Sequence, residues 1–189
     1  MTTRYTVTQL KAQADAALPN NTTQLISPAA VRDLVKNILS SVRLSVATMR
    51  RDTNLVLPLS PTLQTIKPWS VNPYADPPEN VANLTTGQIT KQVTSLGNTK
   101  AMDRITFYIG VAGTAGVELT FVLFRNGVAT DIIGRVSTDG AGNVRNAALS
   151  GVLEHTDDSV YEIKVSSTNT ANYTFTNGTF RVEDCSVPT

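Results

Sequence analysis

His155 is the sole histidine of the chain and lies in Glu154-His155-Thr156-Asp157-Asp158, so an imidazole general base or a Ser-His-Asp arrangement would have to use it. No Gly-x-Ser-x-Gly turn accompanies it, and the stretch reads as an exposed polar loop before a strand. A single histidine and a single cysteine, Cys185, cannot assemble a zinc site of the usual His/Cys kind or an intrachain disulfide. Asp139, Glu154, Asp157 and Asp158 offer carboxylate oxygens to calcium, but not in the Asp-x-Asp-x-Asp-Gly spacing that folds a loop around the ion. Gly110-Val111-Ala112-Gly113-Thr114-Ala115-Gly116 is glycine-rich, yet it lacks the Lys-Ser/Thr pair of a phosphate loop and stands between two strands, so it reads as a loop or bulged turn. Cys185 reads as a small apolar cap on the last strand, with only Arg181 near enough to activate its thiol. These residue types assemble no active site, and the expectation is a non-enzyme that takes no cofactor and no metal.

The elements around them explain why. The chain has 189 residues with 16 basic and 15 acidic side chains, and only 16% of it is charged; Thr, Ser and Asn take the place of the missing charge. A formal net charge of +1 gives no broad field for a polyanion, so nucleic acid is not an expected partner. The longest apolar runs, such as Val117 to Phe124, are strand-length and broken by Glu118 and Thr120, which leaves no membrane span. MTTRYTVTQL carries no hydrophobic stretch behind Arg4, so no export signal is expected.

Three regions differ in pattern: a helical segment at 1–52, a proline-rich extended arm at 53–87 and a β-sandwich at 88–189. In the first, Leu10, Ala14, Ala17 and Leu18 share one helical face, and Pro19 ends the helix. Ser27-Pro28 then starts a second helix, the serine as cap and the proline at the position whose amide has no intrahelical acceptor. Its apolar stripe runs through Val31, Val35, Ile38, Val42, Ser45 and Met49 in steps of 4, 3, 4, 3, 4, while Arg32, Lys36, Arg43 and Arg50 share a second, basic face. The stripe is either a seam between parallel helices of neighbouring copies or a surface packed on the preceding helix. The basic face is either solvated or a docking surface for an acidic partner.

Pro58, Pro61, Pro68, Pro73, Pro77 and Pro78 exclude a helix from the second region. Leu55, Val56, Leu57, Leu59, Leu63, Ile66 and Trp69 make it too apolar to hang in water, so it lies along a neighbouring subunit or along its own sandwich. Trp69 and Tyr74 either anchor in a partner's pocket or fold back on the chain's own sheet. From Gln88 the period becomes two. Strands are expected near Gln88–Thr94, Ile105–Val111, Val117–Arg125, Val128–Val136, Asn143–Leu149, Ser159–Ser166 and Tyr173–Glu183, enough for a sandwich or barrel. Asn126-Gly127 between two of them predicts a hairpin with a type I′ turn.

The stretch Asn20-Asn21-Thr22-Thr23-Gln24-Leu25-Ile26-Ser27-Pro28 continuing to Arg32-Asp33 resembles a segment near the N-termini of minor virion proteins of tailed bacteriophages. Phe121-Val122-Leu123-Phe124-Arg125-Asn126-Gly127, followed by Tyr161-Glu162-Ile163-Lys164-Val165, resembles the sandwich of phage head-decoration, cement and fibre proteins, which are similar to trimeric jelly rolls of the tumour-necrosis-factor type. The resemblance implies a mainly β protein with a C-terminal antiparallel jelly-roll-like sandwich. It also implies a homotrimer on the outer surface of a virion, made in the host cytoplasm and bound to the major capsid protein or another virion protein. The alternative it leaves open is a receptor-binding tail fibre or spike that recognises a host glycan through the loops at Thr138–Asn146 and Ser167–Asn172. In the assembly reading Val31, Val35, Ile38, Val42, Leu55, Leu57, Leu63, Ile66 and Trp69 form the interface to copies or shell. Arg32, Lys36, Arg43 and Arg50 supply docking charges. The sandwich beginning at residue 88 is then expected to fold without residues 1–80.

Overall fold

The computed structural model describes residues 7–17, 31–35, 38, 46–76, 80–91 and 101–185. Helix α1 spans Val7–Ala17, and residues 31–35 and 38 are also helical. The strands are β1 (Val46–Arg51), β2 (Leu55–Leu59), β3 (Gln64–Thr65), β4 (Val71–Asp76), β5 (Val81–Asn83), β6 (Gln88–Lys91), β7 (Ala101–Ala112), β8 (Glu118–Arg125), β9 (Val128–Ser137), β10 (Arg145–His155), β11 (Ser159–Ser167) and β12 (Ala171–Asp184).

They form two antiparallel sheets packed face to face. One has the order β10-β7-β12-β1-β4 with β2 also on β12; the other has β5-β6-β11-β8-β9 with β3 also on β11. From β7 onward the neighbours nest: β7 lies beside β12, β8 beside β11, and β9 and β10 occupy facing edges of the two sheets. A long antiparallel ribbon folded over on itself gives this order, because each inter-sheet crossing places the next strand outside the previous one. Asn126 and Gly127 have φ of 51° and 79° and join β8 to β9, so the predicted type I′ hairpin is present.

Alternation makes the core. Ile105, Phe107, Ile109 and Val111 of β7 point inward and are fully buried, as are Leu119, Phe121 and Leu123 of β8, Tyr161, Ile163 and Val165 of β11 and Tyr173, Phe175, Phe180 and Val182 of β12. Phe107, Phe121 and Phe175 link in a chain of ring contacts at 5.7 and 6.4 Å between centroids, joining the two sheets through the centre.

The largest departure from the sequence reading lies before residue 88. The second helix does not run on to Met49. Val46–Arg51 is a strand paired with β12 and β4, with Ala47 and Met49 fully buried in the sandwich and Arg50 on a strand rather than on a basic helical face. The region read as an arm supplies β2, β3 and β4. It is part of the domain, so the boundary expected at residue 88 moves back to Val46. Prolines fit because they lie at sheet margins: Pro58 sits on β2, whose one recorded neighbour is β12, and Pro73 on β4, the last strand of its sheet. Two strands thus border each long partner end to end, β1 and β2 along β12, and β6 and β3 along β11.

Candidate interaction surfaces

The residues expected to form one assembly interface fall into two groups. Ile66 and Trp69 are 1% and 4% exposed, inside the chain's own core; the Ile66 amide donates to the Ile163 carbonyl at 3.1 Å, and the Trp69 amide to that of Leu84 at 2.9 Å. Leu55 and Leu57 stand opposite Phe175 and Tyr173 on β12 and pack half-buried against the same core, and Leu63 is half-buried beside β3. Of the two arrangements the sequence left open for this segment, the structure shows the second. Its apolar side chains other than the exposed Val56 are covered by their own sandwich, because strands β2 and β3 hydrogen-bond to β12 and β11 and turn each second residue inward. Ile66 and Trp69 are therefore removed from the interface.

The helical residues behave differently. Val31, Val35 and Ile38 are 42%, 47% and 41% exposed, and Arg32 is exposed beside them. Val42, Lys36 and Arg43 lie outside the described residues. Arg50 is exposed on β1 and is not joined to Arg32 in a single helical stripe.

A second surface, not foreseen from the sequence, is the outer face of the first sheet. Met102, Thr106 and Tyr108 of β7 and Ala148 and Val152 of β10 are exposed there, with Tyr108 directly across from Ala148 and Thr106 across from Ser150. Thr179 of β12 donates to the Tyr108 hydroxyl at 3.0 Å, which ties the ring to the neighbouring strand. Arg104 pairs with Glu183 at 3.5 Å and Arg181 pairs with the same carboxylate, so the face is ion-paired toward β12, while toward β10 Ala148 and Val152 alternate with Asn146, Ser150 and Glu154. The signal for it was available: the even positions of β7 read Met, Arg, Thr, Tyr, more apolar than a fully solvated face requires. On the exterior of the other sheet Lys164 lies 4.2 Å over the Phe124 ring and 3.2 Å from Glu162, which also accepts from Thr65 at 2.8 Å.

The groups singled out for chemistry stay apart. His155 is the last residue of β10, paired with Ala101, rather than part of a loop. Asp139 is tied to Arg145 at 2.8 Å. The Cys185 amide and thiol both donate to the Met102 carbonyl, at 2.8 and 3.3 Å, and burial pushes the thiol's pKa up despite Arg104, which pulls it down. Such a thiol is a poor nucleophile. Among the described residues no group of three or more His, Cys, Asp or Glu side chains is placed to hold a metal, and no helix is long and apolar enough to cross a membrane.

Buried polar contacts span the sheets: Ser167 of β11 donates to the Tyr173 hydroxyl of β12 at 2.9 Å, and a second pair lies deeper. Tyr161 of β11 donates its hydroxyl to Asp103 of β7 at 3.0 Å, both residues being fully buried. Burial foremost, then the Asp103 charge, raises the phenol's pKa well above its ordinary value. The folded state therefore holds the neutral phenol, and this contribution is present in full below the unfolded value near 10 and is lost as pH rises above it. Replacing Tyr161 by Phe is expected to cost about 1–3 kcal/mol at neutral pH, because Asp103 loses a buried donor. It is also expected to flatten the fall in stability above pH ~10. Urea melts of both proteins across that range read the difference; parallel alkaline limbs would show that the phenol titrates freely.

No family model matches the chain, and no curated protein matches it. Solved structures do. Murine APRIL matches with a TM-score of 0.50 at 9% identity, over 74% of this chain and 98% of that one. Eiger TNF from S. frugiperda matches with 0.49 at 12% identity, over 78% and 98%. The globular domain of zebrafish complement 1qA matches with 0.42 at 13% identity, over 71% and 94%. At such identities the likeness is one of fold: a mainly β chain whose two antiparallel sheets form a jelly-roll sandwich.

Proposed function

We propose that the chain is a self-associating structural protein of a tailed-bacteriophage virion, a decoration or cement protein of the head. Its sandwich faces outward and its N-terminal helical segment makes the attachment. The observation that carries this reading is the exposure of Val31, Val35 and Ile38, at steps of 4 and 3, in a segment that lies before a sandwich whose core begins at Ala47. Three apolar side chains in one helical stripe contribute about 1.5–3 kcal/mol each when fully buried, and a parallel partner helix is the element that buries such a stripe. The outer face around Tyr108 and Val152 offers a second contact between copies. The resemblance of residues 20–35 to phage virion proteins supports the particle as the setting, and the resemblance to trimeric jelly rolls supports three copies.

Sedimentation of the purified chain, alone and with empty phage heads, tests this. A trimer that co-sediments with heads is the expected result. Val35→Asp with Ile38→Asp is expected to abolish both properties while leaving the thermal melt of the sandwich unchanged, and Tyr108→Glu reports whether the sheet face contributes. A wild-type chain that remains a monomer at every concentration, or that binds host cells but not heads, overturns the decoration reading.

A further inference from the structure

Among the described residues, Arg51 is a buried cation whose donors are not used up. Arg51 ends β1 with its side chain turned into the sandwich, following Ala47 and Met49 on the inward face, and is 4% exposed. Its Nη1 donates to the Thr53 carbonyl at 3.1 Å, but Nε and Nη2 are buried with no acceptor in reach. The Trp69 indole Nε1 is in the same condition, and the guanidinium carbon lies 5.8 Å from the centroid of that ring. The Asp52 carboxylate, next along the chain, accepts from the Ser70 hydroxyl at 2.8 Å, and the Asp52 amide donates to that same hydroxyl at 3.0 Å.

Nε–H and the adjacent Nη2–H project in parallel from one edge of a guanidinium, and that edge matches two coplanar oxygens. A buried guanidinium without an anion is unfavourable, so its retention here calls for an occupant. The backbone is irregular at the same place. Between β1 and β2 the exposed residues Asp52, Thr53 and Asn54 leave the ladder, and opposite them the β12 pairing with β7 shifts register between Phe175 and Gly178. Bulges of this kind re-aim a side chain and concentrate beside binding sites. Burial also lowers the Arg51 pKa, with Asp52 opposing the effect, as expected for a cation short of a countercharge.

We propose that Arg51 and Trp69 form a binding site for a carboxylate, its two oxygens on the Nε/Nη2 edge and a third hydrogen bond from the indole N–H, with Asp52–Asn54 as the segment that admits it. A planar monoanion fits better than a tetrahedral dianion, because one guanidinium charge is available and the ring neighbours of Trp69 are Phe107 and Phe180. The carboxylate is either a free small molecule or an Asp or Glu side chain of a second copy. The site stands independently of the assembly reading, since a monomer can bind the free form.

The chain has a single tryptophan, so the indole N–H resonance of the ¹⁵N-labelled full chain reports this place alone. Titration with sodium acetate is expected to move that resonance saturably, with sodium chloride at equal ionic strength leaving it in place and inorganic phosphate acting more weakly. Arg51→Met is expected to abolish the movement and Arg51→Gln, the second variant should the first misfold, to weaken it by about tenfold or more. Acetate should raise the melting temperature of the wild type and not of Arg51→Met. Movement on raising protein concentration without acetate, lost in Arg51→Met, would assign the carboxylate to a second copy. A resonance that stays fixed under every condition would mean that internal water satisfies the edge, and the proposal fails. It fails equally if Asp52→Asn shifts the resonance as Arg51→Met does, since Asp52 would then be the occupant.

Discussion

Removing residues 1–80 is expected to leave a fragment that does not fold, whereas removing residues 1–45 is expected to leave the sandwich intact. The first cut takes away β1 to β4, and with them Ala47, Met49, Leu59, Ile66 and Trp69, each at most 4% exposed. Large buried apolar side chains contribute about 2–5 kcal/mol apiece when truncated, and the total stability of a domain is only about 5–15 kcal/mol. The cut also strips one whole edge from β12, leaving its amides and carbonyls from Ala171 to Glu183 without β1 or β2. The second cut removes none of the core residues among those described, the first of which is Ala47. Far-UV circular dichroism with thermal melting checks both. A fragment 81–189 that melts cooperatively would show that β1 to β4 are ornaments on a self-sufficient sandwich.

The same contrast shows what the sequence could reveal. All seven strands expected after residue 88 are present, with ends displaced by a few residues, because alternation there is uninterrupted and Asn126-Gly127 pins one hairpin. The first-sheet strands before it were hidden by coincidence of periods. Val42, Ser45 and Met49 extend a 4-3 helical spacing begun at Val31, yet Ala47, Met49 and Arg51 satisfy alternation equally well, and pairing with β12 decides between them. In the next segment the prolines argued correctly against helix. They did not argue against edge strands, where a missing amide costs little. The apolar content of that segment was legible, but its covering was not, since composition shows that Leu55, Ile66 and Trp69 must be buried without naming the surface that buries them. Of the candidate interface, Val31, Val35 and Ile38 are exposed, and the face around Tyr108 emerges only once β7 and β10 are paired. Arg51 left one faint sign, a charge in the inward register of an apolar alternation.

Trp69→Ala is expected to destabilise the isolated chain by about 3–5 kcal/mol, the range for emptying a large aromatic site in a packed core. The indole meets Phe107 edge-on at 6.4 Å and lies tilted on Phe180 at the same distance, so it extends the ring chain that joins both sheets. Its amide is tied to Leu84 in the turn before β6, which prevents the backbone from closing into the space left behind. For a chain of this length each kcal/mol moves the melting temperature by about 2–4 °C, so a fall of roughly 6–20 °C should be seen. Trp69→Phe keeps most of the contact area and should lose far less. A tryptophan serving as an anchor in a partner's pocket would behave in the opposite way: its removal would leave the melt of the dilute chain unchanged and weaken assembly alone, as Val35→Asp with Ile38→Asp is expected to do. The two substitutions therefore separate what closes this sandwich from what joins it to others. Equal melts for wild type and Trp69→Ala would return the segment 53–87 to the role of an arm.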